Sequence, residues 1–405
     1  MLRRLLVLVV TLLINGCAGD MWEQKTSGKI IGSTQEKITR VGITPPHNIV
    51  IMLPLKGKGE LAATSQAINN GLLAAYYSSK QQSNINIRVV DTSDGDVNRL
   101  YQQAVANGAE VVIGPLTKPE VESIASIKPL PVPTIALNTL DDYQHHVINN
   151  LYQFGLLPQD EAVQVATKMK QEQLNNVAVI VPESAWGEKI AVAFENQYKF
   201  SGGQVVATLK YSAHKNLAEQ VCNFLAKDAA TMCIPQQHKD KKQVNSREMR
   251  RQDIDAIFLV AIAPAQARLI IPLLKFYYAS DLPIYSISTL YNGSSRPDLN
   301  QDINDVYFCD MPWVIQDPGS LNDNLQAMHK QITATPLWVN SFANYSKFYA
   351  LGIDAYNLAI ELNTLLSAPQ GGIEGASGTL YLDNFNHIYR DLQWAQMKNG
   401  MVQGF

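Results

Sequence analysis

Recognisable signatures of catalysis and of metal binding are missing from this sequence of 405 residues. It contains no GxSxG, HExxH or P-loop motif, and no cysteine–histidine spacing that matches a zinc site. Its seven histidines are scattered along the chain. Catalytic triads assemble in space, so the missing motifs do not exclude an enzyme. They favour a protein that is not an enzyme, and they predict neither a cofactor nor a metal site.

Strong charge and long hydrophobic runs are also missing. The 33 basic and 36 acidic residues give a net charge of −3, without the basic surplus typical of nucleic-acid-binding proteins. A membrane-spanning helix needs ~20 apolar residues, and the most apolar run, Leu5–Ile14, is half as long. We therefore expect no contact with nucleic acid and no membrane-spanning helix.

The N-terminus has the organisation of a secretory signal, because two arginines precede the short apolar run and small residues follow it. The stretch Ile14-Asn15-Gly16-Cys17 resembles a bacterial lipobox, in which the chain is cut before the cysteine and the cysteine is acylated. We predict that residues 1–16 are a signal peptide and that Cys17 is the lipidated N-terminus. Because Ala18 follows, the sorting rule implies the periplasmic face of the outer membrane. The alternative is an ordinary signal peptide with a chance cysteine.

Three further cysteines would then lie in an oxidising compartment. Cys222 and Cys233 are close enough in sequence to close a short loop, while Cys309 lies in the apolar string VYFC and reads as a buried strand residue. One disulfide with a spare thiol and three free thiols are equally compatible with this spacing.

Strands and helices alternate after residue 46. Residues 17–46 show little periodicity and are predicted to form the lipidated N-terminus and a flexible tether. From residue 47, short β-rich runs such as NIVIML and EVVIG alternate with segments of helical periodicity, and the alternation restarts with a helix marked by Ala162 and Met169. This pattern predicts an α/β fold with two Rossmann-like lobes, each a parallel sheet flanked by helices.

The predicted module, residues 47–405, divides into lobe 1 (about 47–150 and 310–372) and lobe 2 (about 151–309 and 373–405). A long helix near Phe342 to Leu366 is expected to pack on lobe 1, and the terminal strand pair TLYLD and HIYRDLQWAQM on lobe 2.

A glycine motif near the first strand has two interpretations. Gly57-Lys58-Gly59-Glu60-Leu61-Ala62 fits GxGxxA, and Asp91 ends the second strand where a ribose-binding acid could lie. However, Pro54-Leu55-Lys56 separates the strand from the glycines, whereas the dinucleotide fingerprint needs its turn at the strand end. A flexible loop is therefore favoured over a nicotinamide site.

Two polar segments also have a functional and a structural interpretation. DDYQHH (141–146) groups residues that can bind metals, but a solvated loop is the favoured interpretation. HKDKKQVNSREMRRQ (238–252) is basic and could dock an acidic partner, although such runs are more often solvated insertions.

Several strings together carry a family resemblance. NIVIMLPL, AINNGLLAAYY and GAEVVIGPLTKPEV resemble the first lobe of type I periplasmic binding proteins. LYQFGLLPQDEA, RRQDIDAIFLVA, PLLKFYYASDLPIYSIS, DMPWV, YALGIDAYNLA and GASGTLYLD resemble signature blocks of the LppC/LpoA family of outer-membrane lipoproteins. This resemblance implies a type I binding-protein fold that activates the transpeptidase of a bifunctional penicillin-binding protein in peptidoglycan synthesis. Longer family members carry a helical-repeat domain where this sequence has its tether.

The competing function is the capture of a small polar molecule between the lobes, at strand ends and helix N-termini. An amino-acid ligand would need hydroxyls for its carboxylate and an acid for its ammonium group. The residues at such ends are Lys56, Thr117, Asn138, Glu183, Trp186, Ser288 and Tyr291. Thr117 and Ser288 supply hydroxyls, and Glu183 is the only acid among them.

Overall fold

Strands and helices alternate through most of the chain. The computed structural model describes residues 46–79, 84–141, 147–233, 249–293 and 296–405. Its strands are β1 Asn48–Leu53, β2 Asn86–Asp91, β3 Val111–Ile113, β4 Thr134–Ala136, β5 Leu151–Phe154, β6 Asn176–Pro182, β7 Gln204–Tyr211, β8 Ala256–Leu259, β9 Ile284–Ser286, β10 Val306–Asp310, β11 Ile373–Gly375, β12 Gly378–Leu382, β13 His387–Asp391, β14 Gln393–Lys398 and β15 Met401–Gly404. Its helices are α1 Glu60–Ser78, α2 Val97–Ala106, α3 Lys118–Ala125, α4 Pro158–Gln171, α5 Ala185–Phe200, α6 Leu217–Leu225, α7 Ala229–Met232, α8 Pro264–Leu274, α9 Pro297–Asn300, α10 Pro312–Ile315, α11 Asp323–Ala334 and α12 Pro336–Ser367.

The first sheet has eight strands in the order β11-β12-β13-β5-β4-β3-β1-β2. The strands from β13 to β2 are parallel, whereas β11, β12 and β13 pair antiparallel. In β1 every residue after the first is buried, as expected for an interior parallel strand covered on both faces. This sheet and the helices on it, including α1 and α12, are called the first lobe below.

The second sheet has seven strands in the order β15-β14-β10-β9-β8-β6-β7. It is parallel from β10 to β7 and antiparallel from β10 to β15. This sheet, with the helices α4 to α9, is called the second lobe. The predicted fold class, two parallel-dominated sheets flanked by helices, is confirmed.

The prediction that residues 373–405 belong to the second lobe is wrong for β11, β12 and β13. These strands extend the first sheet, because β13 pairs in parallel with β5, with Ile388 opposite Phe154. β5 is itself a strand of the first sheet, although the prediction placed residue 151 in the second lobe. The chain crosses to the second sheet at Leu392, so HIYRDLQWAQM is divided between two sheets.

Three connections cross between the lobes: β5 to α4, β10 to α10, and β13 to β14. Helix α12 then packs along α1 of the first lobe at backbone contact. A Cβ atom at Gly352 would overlap the carbonyl oxygen of Ile68, and one at Gly71 would overlap that of Tyr349. One buried hydrophobic cluster runs through both lobes, from Leu53 and Phe154 to Val177 and Phe194.

The cysteines of the described residues are partly bonded. Cys222 of α6 forms a disulfide with Cys233, with 5.7 Å between their Cα atoms. Cys309 of β10 is a buried free thiol. In the part of the chain that the structure describes, no helix is both long enough and apolar enough to cross a bilayer.

Candidate functional site

The carboxyl ends of the parallel strands carry most of the residues predicted to line a cleft. In the first lobe, Lys56 is exposed and its ammonium nitrogen lies 3.6 Å from the Asp91 carboxylate. The hydroxyl of Thr117 donates to Glu120 over 2.7 Å, and the backbone N–H of Thr117 donates to the same carboxylate over 3.0 Å. Thr117 is thus engaged in a capping box at the start of α3.

Asn138 is also held by its surroundings. Its side-chain amide donates to the carbonyl of Leu116 over 3.1 Å, and its side-chain oxygen accepts the N–H of Thr139 over 2.9 Å. These bonds fix the loop that follows β4 against the loop that follows β3. Asn138 therefore serves the local backbone at this edge of the first sheet.

The second-lobe candidates are more scattered. Glu183 is exposed and accepts from Lys215 over 3.3 Å within the same lobe. Trp186, in the first turn of α5, is half-buried against the hydrophobic core. Tyr291 is buried, with its ring 6.1 Å from that of Phe308. Burial, together with the nearby Asp310, raises the pKa of the Tyr291 phenol.

Ser288 lies in a buried network that the sequence analysis missed. Its N–H and its hydroxyl both donate to Glu161 of α4, each over 3.0 Å. Arg390 of β13 approaches the same carboxyl group at 3.4 Å, and both side chains are only 3% exposed. Glu161 follows the first crossing and Arg390 precedes the third, so this contact joins two of the three connections.

The second crossing carries a further ion pair, in which the acid is buried. Lys347 of α12 donates to Asp310, the last residue of β10, over 2.8 Å, and to the carbonyl of Ser288 over 2.6 Å. Asp310 is fully buried, and this burial, opposed by Lys347, raises its pKa to about 6. Lys347 belongs to the first lobe and both acceptors to the second. We call Glu161, Ser288, Asp310, Lys347 and Arg390 the hinge network.

An acid–histidine pair adjoins this network. The Nε2 atom of His387 lies 3.4 Å from Oδ2 of Asp160, the neighbour of Glu161 on α4. Burial is the main cause that raises the pKa of Asp160 to about 7, partly opposed by Arg390. Burial also lowers the pKa of His387 to about 4, although Asp383 opposes this shift. Near pH 6 the pair therefore consists of a protonated acid and a neutral imidazole.

Asp91, the acid that a dinucleotide site would have used, is bonded to the loops at the edge of the first sheet. Asp91 accepts hydrogen bonds from the Ser93 hydroxyl over 2.7 Å and from the N–H groups of Ser93 and Leu55. Burial would raise the pKa of Asp91, but these hydrogen bonds outweigh it and lower the pKa to about 2. The carboxylate thus ties the loop after β1 to the loop after β2.

The two polar segments lie largely outside the described residues. In DDYQHH only Asp141 is described, and in the basic run only the residues from 249 onward. Within the described ranges, no group of three or more histidine, cysteine or acidic side chains is placed to hold a metal ion. Cys17 also lies outside the described residues.

The sequence contains only a weak indication of the hinge network. Asp160 and Glu161 are an acidic pair in the first turn of a helix, which usually reads as a complement to the helix dipole. Their burial, and their contacts with residues more than 120 positions away, depend on the pairing of β13 with β5.

Comparison with known proteins agrees with this architecture. The family model described as LppC putative lipoprotein matches residues 24–400. The chain belongs to the LppC family. A penicillin-binding protein activator LpoA from Vibrio antiquarius is 24% identical over 368 residues, which cover 89% of this LppC chain and 59% of that protein. The chain therefore matches well under two thirds of the length of this relative.

Solved structures show the same fold. The C-domain of LpoA from Haemophilus influenzae, described as a regulator of PBP1A, matches with a TM-score of 0.67 and 24% identity, covering 88% of this LppC chain and 99% of that domain. A putative branched-chain amino acid ABC transporter protein from Chromobacterium violaceum matches with a TM-score of 0.64 and 26% identity, covering 87% of this chain and 100% of that one.

Proposed function

We propose that this LppC protein activates a bifunctional penicillin-binding protein by direct contact and thereby stimulates peptide cross-linking during peptidoglycan synthesis. It acts as a regulator of an enzyme and not as an enzyme. The family membership of residues 24–400 and the activator name of its relatives support this proposal.

The structural observation behind the proposal is that the polar groups at the cleft edges are bonded to the chain itself. The hydroxyls of Thr117 and Ser288 donate to Glu120 and Glu161, and the Asn138 amide serves a backbone carbonyl. A solute would have to displace these partners before it could accept a hydrogen bond from either hydroxyl. Contact with a protein on the outer surface requires no such displacement, and aromatic and arginine anchors usually dominate contacts of that kind.

The N-terminal sequence supports a proposal for the location of the protein. We propose that Cys17 is diacylated and N-acylated, and that these chains hold the protein on the periplasmic face of the outer membrane, since more than one chain suffices for stable anchoring. Metabolic labelling with a fatty-acid probe should mark the wild type and not Cys17→Ala. Equal labelling of both proteins would contradict the anchor.

The activator function is tested by reconstitution. Purified lipoprotein in detergent is added to a bifunctional penicillin-binding protein from the same cell, and the fraction of cross-linked peptide is measured without any added small molecule. We expect cross-linking above the level of the synthase alone. Thr117→Ala should stimulate as well as wild type does, because its hydroxyl lies in a capping box and not in the proposed contact.

Solute capture is the alternative outcome. If cross-linking stays at the level of the synthase alone, while a metabolite screen finds a micromolar ligand that raises the melting temperature of this protein, the capture function replaces the activator function. Thr117→Ala and Ser288→Ala together should then abolish that ligand-induced rise in melting temperature.

A further inference from the structure

An exposed ion pair also joins the two lobes, away from the hinge network. Asp141 follows β4 of the first lobe, and its Oδ1 atom accepts the ammonium group of Lys189 over 3.0 Å. Lys189 lies on α5 of the second lobe. The same oxygen also pairs with Lys118, the first residue of α3. We call Asp141, Lys118 and Lys189 the mouth contact.

The mouth contact differs from the hinge network in its burial. The Asp141 and Lys189 side chains are 61% and 55% exposed, whereas Asp310 of the hinge network is fully buried. Exposed ion pairs are weak and are screened by salt, because water and counterions compete for both charges. Buried pairs are screened much less. The two contacts between the lobes should therefore respond differently to ionic strength.

Proton concentration should affect the mouth contact little. Hydrogen bonds from Lys118 and Lys189 lower the pKa of Asp141 below its usual value. The carboxylate therefore stays charged throughout the mildly acidic range. Ionic strength, and not pH, is the variable that weakens it.

We propose that the mouth contact is a salt-releasable latch: the ion pair between Asp141 and Lys189 holds the cleft closed, and its release lets the lobes separate about the three crossings. The hinge network stays intact during this motion and keeps the lobes joined. Separation uncovers the cleft-facing edges, including Thr117 and Trp186, which lie four positions after the ends of β3 and β6.

The test measures the distance between one helix of each lobe. Spin labels are attached at Ser126→Cys, the C-cap of α3, and at Val192→Cys, an exposed position on α5. The full lipoprotein is measured in detergent by double electron–electron resonance, and a sample without introduced cysteines corrects for labelling of native thiols. At low salt we expect one short distance, and at 0.5 M sodium chloride a growing population at longer distance.

Single substitutions separate the latch from general salt effects. Lys189→Met and Asp141→Asn should each raise the open-to-closed ratio at low salt about two- to fivefold, the usual range for an exposed pair. Combining the two should add little, because each already removes the pair. Lys215→Met is the matched control, since it breaks an exposed pair with Glu183 inside one lobe. It should behave as wild type.

Two results would each overturn the latch. One is a distance distribution of Lys189→Met at low salt that equals that of wild type. The other is a wild-type distribution that does not change between low and high salt. A shift of equal size in Lys215→Met would likewise assign the effect to surface charge and not to the mouth contact.

Discussion

Asp160 and His387 are predicted to cancel each other's effect on the pH dependence of folding, so that removing either one reveals the other. In an unfolded chain the aspartate loses its proton near its ordinary pKa of 3.8 and the histidine near 6.5. In the folded protein the order is reversed, because His387 has a pKa of about 4 and Asp160 of about 7. Both states hold one proton on the pair over most of the range between, so the stability from this pair hardly changes with pH.

Replacing His387 by Gln leaves only the raised pKa of Asp160. That contribution to stability is fully present below pH 3.8 and is lost as the pH rises through about 7. When the folded protein binds one proton more than the unfolded chain, the free energy of unfolding falls by ~1.4 kcal/mol for each unit that the pH rises. Relative to wild type, the free energy of unfolding of His387→Gln should therefore fall by roughly 4 kcal/mol as the pH rises across this window.

Asp160→Asn leaves only the lowered pKa of His387 and should show the opposite slope. That contribution is present above pH 6.5 and is lost as the pH falls through about 4. Relative to wild type, the free energy of unfolding of Asp160→Asn should fall by roughly 3 kcal/mol as the pH falls across this window. Burial also raises the pKa of Asp383, and this pKa is lowered by His387 and raised by Asp160, so Asp383 adds to the slope of each variant in the same direction as the remaining group of the pair.

The assay is urea unfolding followed by circular dichroism at pH 4.5, 5.5, 6.5 and 7.5 and constant ionic strength. The free energy of unfolding of each variant is subtracted from that of wild type at the same pH. Asp323→Asn removes an exposed carboxyl on α11 and is the control for the loss of a surface charge. Slopes of the same sign in the two pair variants, or slopes near zero in both, would refute the assignment of the proton to Asp160.

Three further predictions concern the free energy of unfolding. Lys347→Met should lower the free energy of unfolding by about 3–5 kcal/mol, because it leaves Asp310 buried without its partner; chemical denaturation measures this, and a loss below 1 kcal/mol would contradict it. Gly352→Ala should destabilise by about 1–3 kcal/mol, since its methyl group meets the carbonyl oxygen of Ile68, whereas the same change in an exposed helix would stabilise. Cys222→Ser should lower the free energy of unfolding by about 2–3 kcal/mol. Reducing the disulfide of the wild type should lower it by the same amount if the loss of the bond alone causes the effect.

Local patterns were sufficient to predict the alternation of strands and helices. Runs such as NIVIML and AIFL are buried strands of parallel sheets, and their apolar composition predicts this burial. The disulfide was one of two arrangements compatible with the spacing of Cys222 and Cys233. The choice depends on the end of α6, which brings the two Cα atoms within bonding range.

The division of the last strands between sheets could not be predicted in the same way. HIYRD and QWAQMK both mix polar and apolar residues, and only Leu392 lies between them. Tertiary contacts assign the two strings to different sheets. β13 pairs with β5, and the side chain of Gln164 on α4 bonds to the chain where it crosses between the lobes. Its amide donates to the carbonyl of Arg390 and its oxygen accepts the N–H of Leu392, each over 2.9 Å. The hinge network depends on the same pairing, so it was missed for the same reason.

The bonding of the cleft residues also limits what a solute could gain. A net intramolecular hydrogen bond contributes ~0.5–1.5 kcal/mol, whereas micromolar capture needs about 8 kcal/mol. A carboxylate that took the Ser288 hydroxyl would remove a donor from Glu161, which is buried, at a cost of about 1–3 kcal/mol. A ligand carboxylate that took the Thr117 hydroxyl from Glu120 would likewise gain little net binding free energy. Micromolar capture by these hydroxyls would therefore require the strand ends to rearrange first, whereas a partner that contacts the outside of the lobes can bind them as they are.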